Sequence, residues 1–107
     1  MLKKTVILLV ISLFFLTISF AIGTTISAVS TGTVVSDSGV MQTNMLISYS
    51  LHVDSKGYAV FIYDNAPRVS QTTPGTTSNT YPGNIGYSLG VQAYAEMGSS
   101  YATASFL

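Results

Sequence analysis

Residues 46–64 read Leu-Ile-Ser-Tyr-Ser-Leu-His-Val-Asp-Ser-Lys-Gly-Tyr-Ala-Val-Phe-Ile-Tyr-Asp, and this stretch decides the fold. In its first half, apolar and polar side chains alternate with a period of two, which predicts a half-buried β-strand. Its second half, residues 58–63, is rich in aromatic and β-branched residues and predicts another strand. The apolar face of the first strand consists of Ile47, Tyr49, Leu51 and Val53.

Between the two predicted strands lies the sequence Asp-Ser-Lys-Gly, residues 54–57, whose glycine can adopt a positive φ without a steric clash. We therefore predict a β-hairpin in which Val53 pairs with Tyr58. The same register places Leu51 opposite Val60, and Tyr49 opposite Ile62, so that the apolar side chains share one face.

The flanking sequence predicts further short strands. Residues 24–44 contain β-forming residues, and residues 85–107 predict a second hairpin with its turn at 98–100. Residues 65–84 contain all three prolines and many Thr, Ser and Asn residues, which predicts a long loop. We expect an all-β chain: a small antiparallel β-sandwich of about 5–7 strands, forming a single domain over residues 24–107 with a long loop at 65–84.

The composition limits the classes of function. The chain has 107 residues, enough for one domain, and only 7% of them are charged, against roughly 25% in typical soluble domains. A surface with so few charges favours self-association. The formal net charge of zero argues against nucleic acid as a partner, and the lack of cysteine excludes disulfides.

The N-terminus has the layout of a secretory signal peptide. Two lysines, Lys3 and Lys4, precede an uncharged apolar run, Thr5–Ile22, and small residues follow it. We predict that residues 1–23 are a signal peptide, with cleavage as late as residue 28 as an alternative, and that the protein is secreted. An uncleaved membrane anchor is the other interpretation. Removing the segment leaves two basic and four acidic side chains, and therefore a net charge of −2.

Few residues outside the N-terminal segment could support chemistry. His52 and Asp54 lie two residues apart on one strand face, but a zinc site needs at least three protein ligands. No Gly-x-Ser-x-Gly motif occurs, and His52 is the single histidine that could act as a base. We therefore expect no catalytic residues, no metal site and no cofactor.

Three segments of the chain resemble the lactococcin 972 family of secreted bacteriocins. They are Gly32-Thr33 followed by Gly39-Val40; the central segment with Tyr49-Ser50, His52, Ser55-Lys56 and Tyr58; and Gly90-Val91 with Ala93, Ala95 and the terminal Ala104-Ser105-Phe106. The chain differs from the family in having no tryptophan, since Val34 stands at the usual tryptophan position. The resemblance implies a small β-sandwich that acts on the envelope of related bacteria.

The resemblance also implies a binding surface for a cell-envelope component of the target bacteria. Its candidate residues are Ser50, His52, Ser55, Lys56 and Tyr58. In this interpretation the domain is not an enzyme, and it contacts the membrane only through its signal segment. The alternative function is a structural subunit of an extracellular filament or cell-surface layer, which the low charge and the hydroxyl-rich sequence favour.

Overall fold

A computed structural model describes residues 23–107 of the chain. These residues form eight β-strands and no helix, and each strand is six to ten residues long. Within this part of the chain, therefore, no helix is long and apolar enough to cross a membrane. The strands are β1 (Thr24–Ser30), β2 (Val35–Val40), β3 (Met45–Val53), β4 (Lys56–Tyr63), β5 (Ala66–Gln71), β6 (Gly75–Gly83), β7 (Ser88–Met97) and β8 (Ser100–Phe106).

The strands form two antiparallel sheets of four strands each. Sheet I has the order β1-β8-β3-β6, and sheet II has the order β2-β7-β4-β5. In both sheets the pairing is nested: β1 pairs with β8, β2 with β7, β3 with β6 and β4 with β5. The chain is therefore one long hairpin that folds over into two packed sheets, which is the jelly-roll form of a β-sandwich.

The tip of this long hairpin is a two-residue turn, Asp64–Asn65. Tyr63 pairs with Ala66 across it, and both turn residues have positive φ, 53° for Asp64 and 61° for Asn65. Positive φ at both central residues defines a type I′ turn, whose twist matches that of the flanking strands. Asp and Asn tolerate this backbone conformation better than other residues with a side chain.

The structure confirms the predicted fold class, with eight strands where about five to seven were expected. The hairpin predicted at 46–64 is wrong, because β3 lies in sheet I and β4 lies in sheet II. Residues 54–55 are the corner between the sheets. The hairpin predicted at 85–107 is wrong for the same reason: β7 belongs to sheet II and β8 to sheet I.

The long loop predicted at 65–84 is also wrong, since these residues form β5 and β6. Both are edge strands, with one neighbour each. Prolines are tolerated in such positions because an edge strand has unpaired backbone groups. Pro67 is in β5 and Pro82 is in β6, whereas Pro74 precedes β6.

The two sheets enclose one core, to which alternate residues of each strand contribute. In β3 the predicted apolar face is buried as expected. In β4, however, Ala59, Phe61 and Tyr63 are buried, and Val60 and Ile62 face outward, opposite to the hairpin register. Tyr49 and Phe61 stack across the sandwich with ring centroids 4.9 Å apart.

Residues 1–22 of the predicted signal peptide, residues 1–23, lie outside the described residues. The latest of the predicted cleavage positions, after residue 28, falls within β1. Two buried core residues of β1, Ile26 and Ala28, precede this position. The first residues of β1 pair with the last residues of β8, beginning with Thr24 opposite Phe106.

Candidate binding site

The five residues of the predicted binding patch do not share one surface. Ser50 and His52 are on β3 and face outward from sheet I, whereas Lys56 and Tyr58 are on β4, in sheet II. Ser55 is exposed in the corner between the two strands. Because the outward faces of two packed sheets point in opposite directions, the single patch is replaced by two separate surfaces.

The outer face of sheet I is lined with hydroxyl groups and carries no acidic or basic residue apart from His52. We call it the hydroxyl face. Neighbouring side chains on it are hydrogen-bonded across strands: Ser78 donates to Ser50 at 2.9 Å, and Thr25 and Ser105 are 3.2 Å apart. The outward residues that carry a hydroxyl group or the imidazole are Thr25, Ser27, Ser48, Ser50, His52, Thr76, Ser78, Thr80, Tyr101, Thr103 and Ser105; Val29, Leu46 and Pro82 also face outward.

His52 has two partners at the edge of this face. Its ring stacks on Tyr101 of β8, with centroids 4.9 Å apart and planes inclined by 19°. Its Nδ1 is 2.7 Å from the hydroxyl oxygen of Thr76 on β6. Because His52 and Tyr101 are opposite each other in register, the two rings pack face to face, and His52 contributes an aromatic ring to the hydroxyl face.

The outer face of sheet II contains a groove of about 390 Å³. Its floor is Gly90 in the middle of β7, where the missing side chain leaves a gap between Ser38 of β2 and Ile62 of β4. Ser36, Ser88 and Gln92 line the remaining sides. We call this feature the Gly90 groove.

Beside the Gly90 groove stand two tyrosines from neighbouring strands. Tyr58 of β4 and Tyr94 of β7 are paired in register, and their ring centroids are 5.7 Å apart. The Tyr58 hydroxyl donates a hydrogen bond of 3.1 Å to the Gln92 side-chain oxygen. Because this bond uses the amide oxygen, the amide NH₂ of Gln92 retains its donors for a ligand.

The groove is lined mainly by neutral polar groups and contains one carboxylate. Its one ionisable lining residue is Asp37, and both carboxylate oxygens of Asp37 already accept backbone hydrogen bonds. One comes from Ser27 N–H of β1 at 3.2 Å and the other from Ser38 N–H at 2.9 Å. Hydroxyl and amide groups both donate and accept, so the groove suits a neutral ligand that is rich in hydroxyl groups.

Lys56 lies at the opposite end of β4 from Ile62 and forms an ion pair with Glu96 of β7. The Nζ–Oε2 distance is 3.3 Å, and both side chains are more than half exposed. An exposed pair of this kind contributes little to stability. Since Glu96 neutralises the Lys56 charge locally, the predicted role of Lys56 in binding an anionic wall precursor has weak electrostatic support.

Within residues 23–107, no cluster of three or more His, Cys, Asp or Glu side chains could hold a metal ion. His52 and Asp54 were considered as a ligand pair in the sequence, but the described Nδ1 contact of His52 is with Thr76. Asp54 is exposed in the corner after β3.

Sequence reasoning missed the polar residues of the groove, in particular Ser36, Ser38, Ser88 and Gln92. One signal was available. A glycine inside an alternating strand marks either a bulge or a place where another group approaches the backbone. The register of β4 and β7 is regular at Gly90 and shifts instead between Lys56 and Gly57, so Gly90 does not mark a bulge.

Two solved structures are similar in fold to part of this chain. The C-terminal CBM6 of LamC, a marine laminarinase from Zobellia galactanivorans, has a TM-score of 0.41 and 14% identity, over 77% of this chain and 99% of that one. A Paenibacillus cycloisomaltooligosaccharide glucanotransferase complexed with cycloisomaltoheptaose has a TM-score of 0.40 and 10% identity, over 69% of this chain and 13% of that one. Neither TM-score is high enough to support a statement about ligands or activity. No protein-family model and no curated protein matches the chain.

Proposed function

We propose that the chain is a secreted, non-enzymatic protein that binds a neutral, hydroxyl-rich polymer of the bacterial cell envelope through the Gly90 groove. The observation that supports this function is the groove itself, with hydroxyl and amide groups on its sides, a single carboxylate that is hydrogen-bonded to the backbone, and two tyrosine rings beside it. Envelope binding without bond-making is also what the resemblance to the lactococcin 972 bacteriocins implies.

The size of the groove limits the ligand. At about 390 Å³ it is near the lower end of the range for small-molecule pockets, and so accommodates one ring of a glycan rather than a whole chain. Sugar rings have polar edges and apolar faces. The hydroxyls of Ser36 and Ser38 and the Gln92 amide match the edges, whereas Ile62 and the rings of Tyr58 and Tyr94 offer apolar surface.

A groove-filling substitution tests this function. At Gly90 an added Cβ would make ordinary contacts, 3.4 Å from Asp37 O and 3.7 Å from Ile62 Cβ. Gly90→Val therefore fills the groove with a side chain that strands favour. The matched control is Thr80→Val, which changes one exposed side chain on the outer face of the other sheet.

The measurement is co-sedimentation of the secreted protein with purified cell-wall sacculi of a related bacterium, together with inhibition of that bacterium's growth. We expect the unaltered protein and Thr80→Val to bind equally, and Gly90→Val to bind at least about tenfold more weakly, which equals 1.4 kcal/mol. Circular dichroism checks that Gly90→Val is folded. Equal binding of folded Gly90→Val would exclude the groove, and no binding or inhibition by the unaltered protein would exclude the function.

One observation favours the second candidate function, a structural subunit of a filament or surface layer. Strand β6 is a nine-residue edge strand with no charged side chain, and it borders the hydroxyl face. An uncharged edge of this length is a template for pairing with a strand of another copy. Asn79→Lys, which places a charge at mid-strand, is expected to abolish any polymer seen by light scattering and electron microscopy. A monomeric unaltered protein at high concentration would exclude the subunit function.

A further inference from the structure

At one end of the sandwich, two loops join and expose apolar side chains. The loops are residues 41–44, between β2 and β3, and residues 84–87, between β6 and β7. Met41 N–H donates to Tyr87 O at 2.9 Å, and Gly86 N–H donates to Met41 O at 2.9 Å. Ile85 N–H donates to the side-chain oxygen of Asn44 at 2.7 Å, so the two loops form one rigid platform.

Most of the large exposed apolar side chains of residues 23–107 are on or beside this platform. Five of the eight cluster there, namely Val40, Met45, Leu46, Ile85 and Tyr87, and the other three are Val29, Val34 and Met97. We call the five-residue cluster the apolar end. Residues 38–53 and 69–95 contain no acidic or basic residue except His52, so the loops themselves are uncharged. A charged residue, Asp64, is hydrogen-bonded to the start of β7, where its N–H donates to Ser88 O at 2.8 Å.

The first described residues of the chain lie at this same end. Gly23 and Thr24 line a surface pocket together with Met45, Leu46 and Leu107. The run Thr5–Ile22 is followed directly by Gly23, and β1 begins at Thr24. No spacer therefore separates the apolar run from the apolar end.

We propose that the apolar end is a membrane-contacting surface that rests in the interface of a neutral lipid bilayer. When the run Thr5–Ile22 is in a membrane, during export or as an anchor, the missing spacer holds the apolar end against the headgroups. Leu46 and Ile85 then reach the acyl boundary. The ring of Tyr87 stacks on Tyr63 with centroids 5.6 Å apart, and its exposed part lies at the level of the headgroups.

The lack of basic residues at the apolar end determines which lipid headgroups it is expected to contact. Attraction to anionic headgroups needs a cluster of Lys and Arg. The apolar end has none, and the two basic residues that follow residue 22, Lys56 and Arg68, are outside it. Contact is therefore apolar, requires no anionic lipid and is insensitive to salt. This inference is independent of the ligand of the Gly90 groove.

The absence of cysteine allows one environment-sensitive fluorophore to be placed at each chosen site of the full chain. Ile85→Cys marks the apolar end. Met97→Cys is the matched control, since both side chains are 60% exposed and Met97 is at the opposite end of the sandwich. Both variants are labelled and reconstituted in phosphatidylcholine vesicles at low protein density, with and without lipids that carry a quencher at mid-chain.

We expect the label at position 85 to emit at shorter wavelength and to be quenched, as for a group about 5–10 Å inside the headgroup boundary. The label at position 97 is expected to remain unquenched, with emission as in water. Equal emission and quenching at both positions would overturn the proposal. A blue shift at position 85 without quenching by lipid would also overturn it, because a second copy would then cover the apolar end.

Discussion

Tyr49 of β3 and Phe61 of β4 stack across the sandwich, with ring centroids 4.9 Å apart and planes inclined by 10°. One ring comes from each sheet, so the pair fixes how the sheets lie against each other. Tyr81 adds an edge-on contact to Phe61 at 5.5 Å and a tilted contact to Tyr63 at 5.1 Å. These aromatic contacts make Phe61 a central residue of the core.

Phe61→Ala should therefore lower the free energy of unfolding by about 3–5 kcal/mol, the usual cost of truncating a buried phenylalanine. The neighbouring Val60→Ala should cost less than about 1 kcal/mol, because Val60 faces outward. Urea unfolding of the two variants measures both values. A larger loss for Val60→Ala would mean that β4 has the opposite register, with Val60 and Ile62 in the core.

Asn65, in the turn at the tip of the long hairpin, has a φ of 61°. Two substitutions at this position are therefore expected to differ in their effect on stability. Asn65→Val should destabilise the protein by about 1–2 kcal/mol, because a β-branched residue is strained in the left-handed region. Asn65→Gly should leave stability within about 0.5 kcal/mol. Thermal unfolding distinguishes them, and equal melting temperatures would contradict the type I′ turn.

At Gly57 of β4, the backbone of β7 leaves no room for a side chain. A Cβ at this position would be 2.0 Å from the carbonyl oxygen of Tyr94, so Gly57→Ala forces the strands apart. We expect a loss of about 2–3 kcal/mol, in the upper part of the range for overpacked sites. Gly32→Ala is the control, since nothing lies within 4 Å of its added Cβ. Similar unfolding midpoints for the two variants would disprove the close approach.

Two substitutions in or beside the Gly90 groove are expected to weaken ligand binding. Gln92→Leu removes the amide that Tyr58 orients, and Tyr94→Ala removes one ring beside the groove. Each should weaken binding to sacculi by about tenfold, since a buried donor in a polar site contributes about 1–3 kcal/mol. His52→Ala, on the hydroxyl face, should bind as the unaltered protein does. A loss of binding with His52→Ala alone would move the site to sheet I.

The position of β1 narrows the choice among the predicted signal-peptide cleavage positions. Cleavage after residue 28 would remove Ile26 and Ala28 from the core and leave the start of β1 without its pairing to β8. We therefore expect the secreted protein to begin at Ile22 or Thr24. N-terminal sequencing of the product decides this. A start at Val29 would show that β1 is dispensable, and a start at Met1 would favour the membrane anchor.

The sequence was sufficient to predict the face that β3 buries but not the partners of β3. Alternation along residues 47–53 shows which side chains meet the core, because the side-chain period of a strand is two. It contains no information about which strand lies beside β3. The nearest strand in sequence, β4, was assumed to be the neighbour, whereas the actual neighbours are β6 and β8.

Strands β5 and β6 could not be recognised because their apolar pattern is weak. In β6 only Gly83 is buried, and the residues Thr76, Ser78 and Thr80 face solvent. An edge strand over a polar outer face has little need for alternating apolar residues, so composition suggested a loop. The corner at residues 54–55 also explains why the predicted patch is divided. Ser50 and His52 are close to Tyr58 along the chain, but they lie in sheet I, whereas Tyr58 lies in sheet II.

The nested pairing has a consequence for the order of events in folding. The Asp64–Asn65 turn brings together the most local partners, and every later pair closes a longer stretch of chain, up to Thr24 with Phe106. Such a high contact order predicts slow folding, in milliseconds to seconds. During synthesis, β1 is the first of the eight strands to appear, and its partner β8 is the last. The apolar residues of β1 therefore remain unpaired until almost the whole chain has emerged. During this interval the protein is most exposed to aggregation and to chaperones.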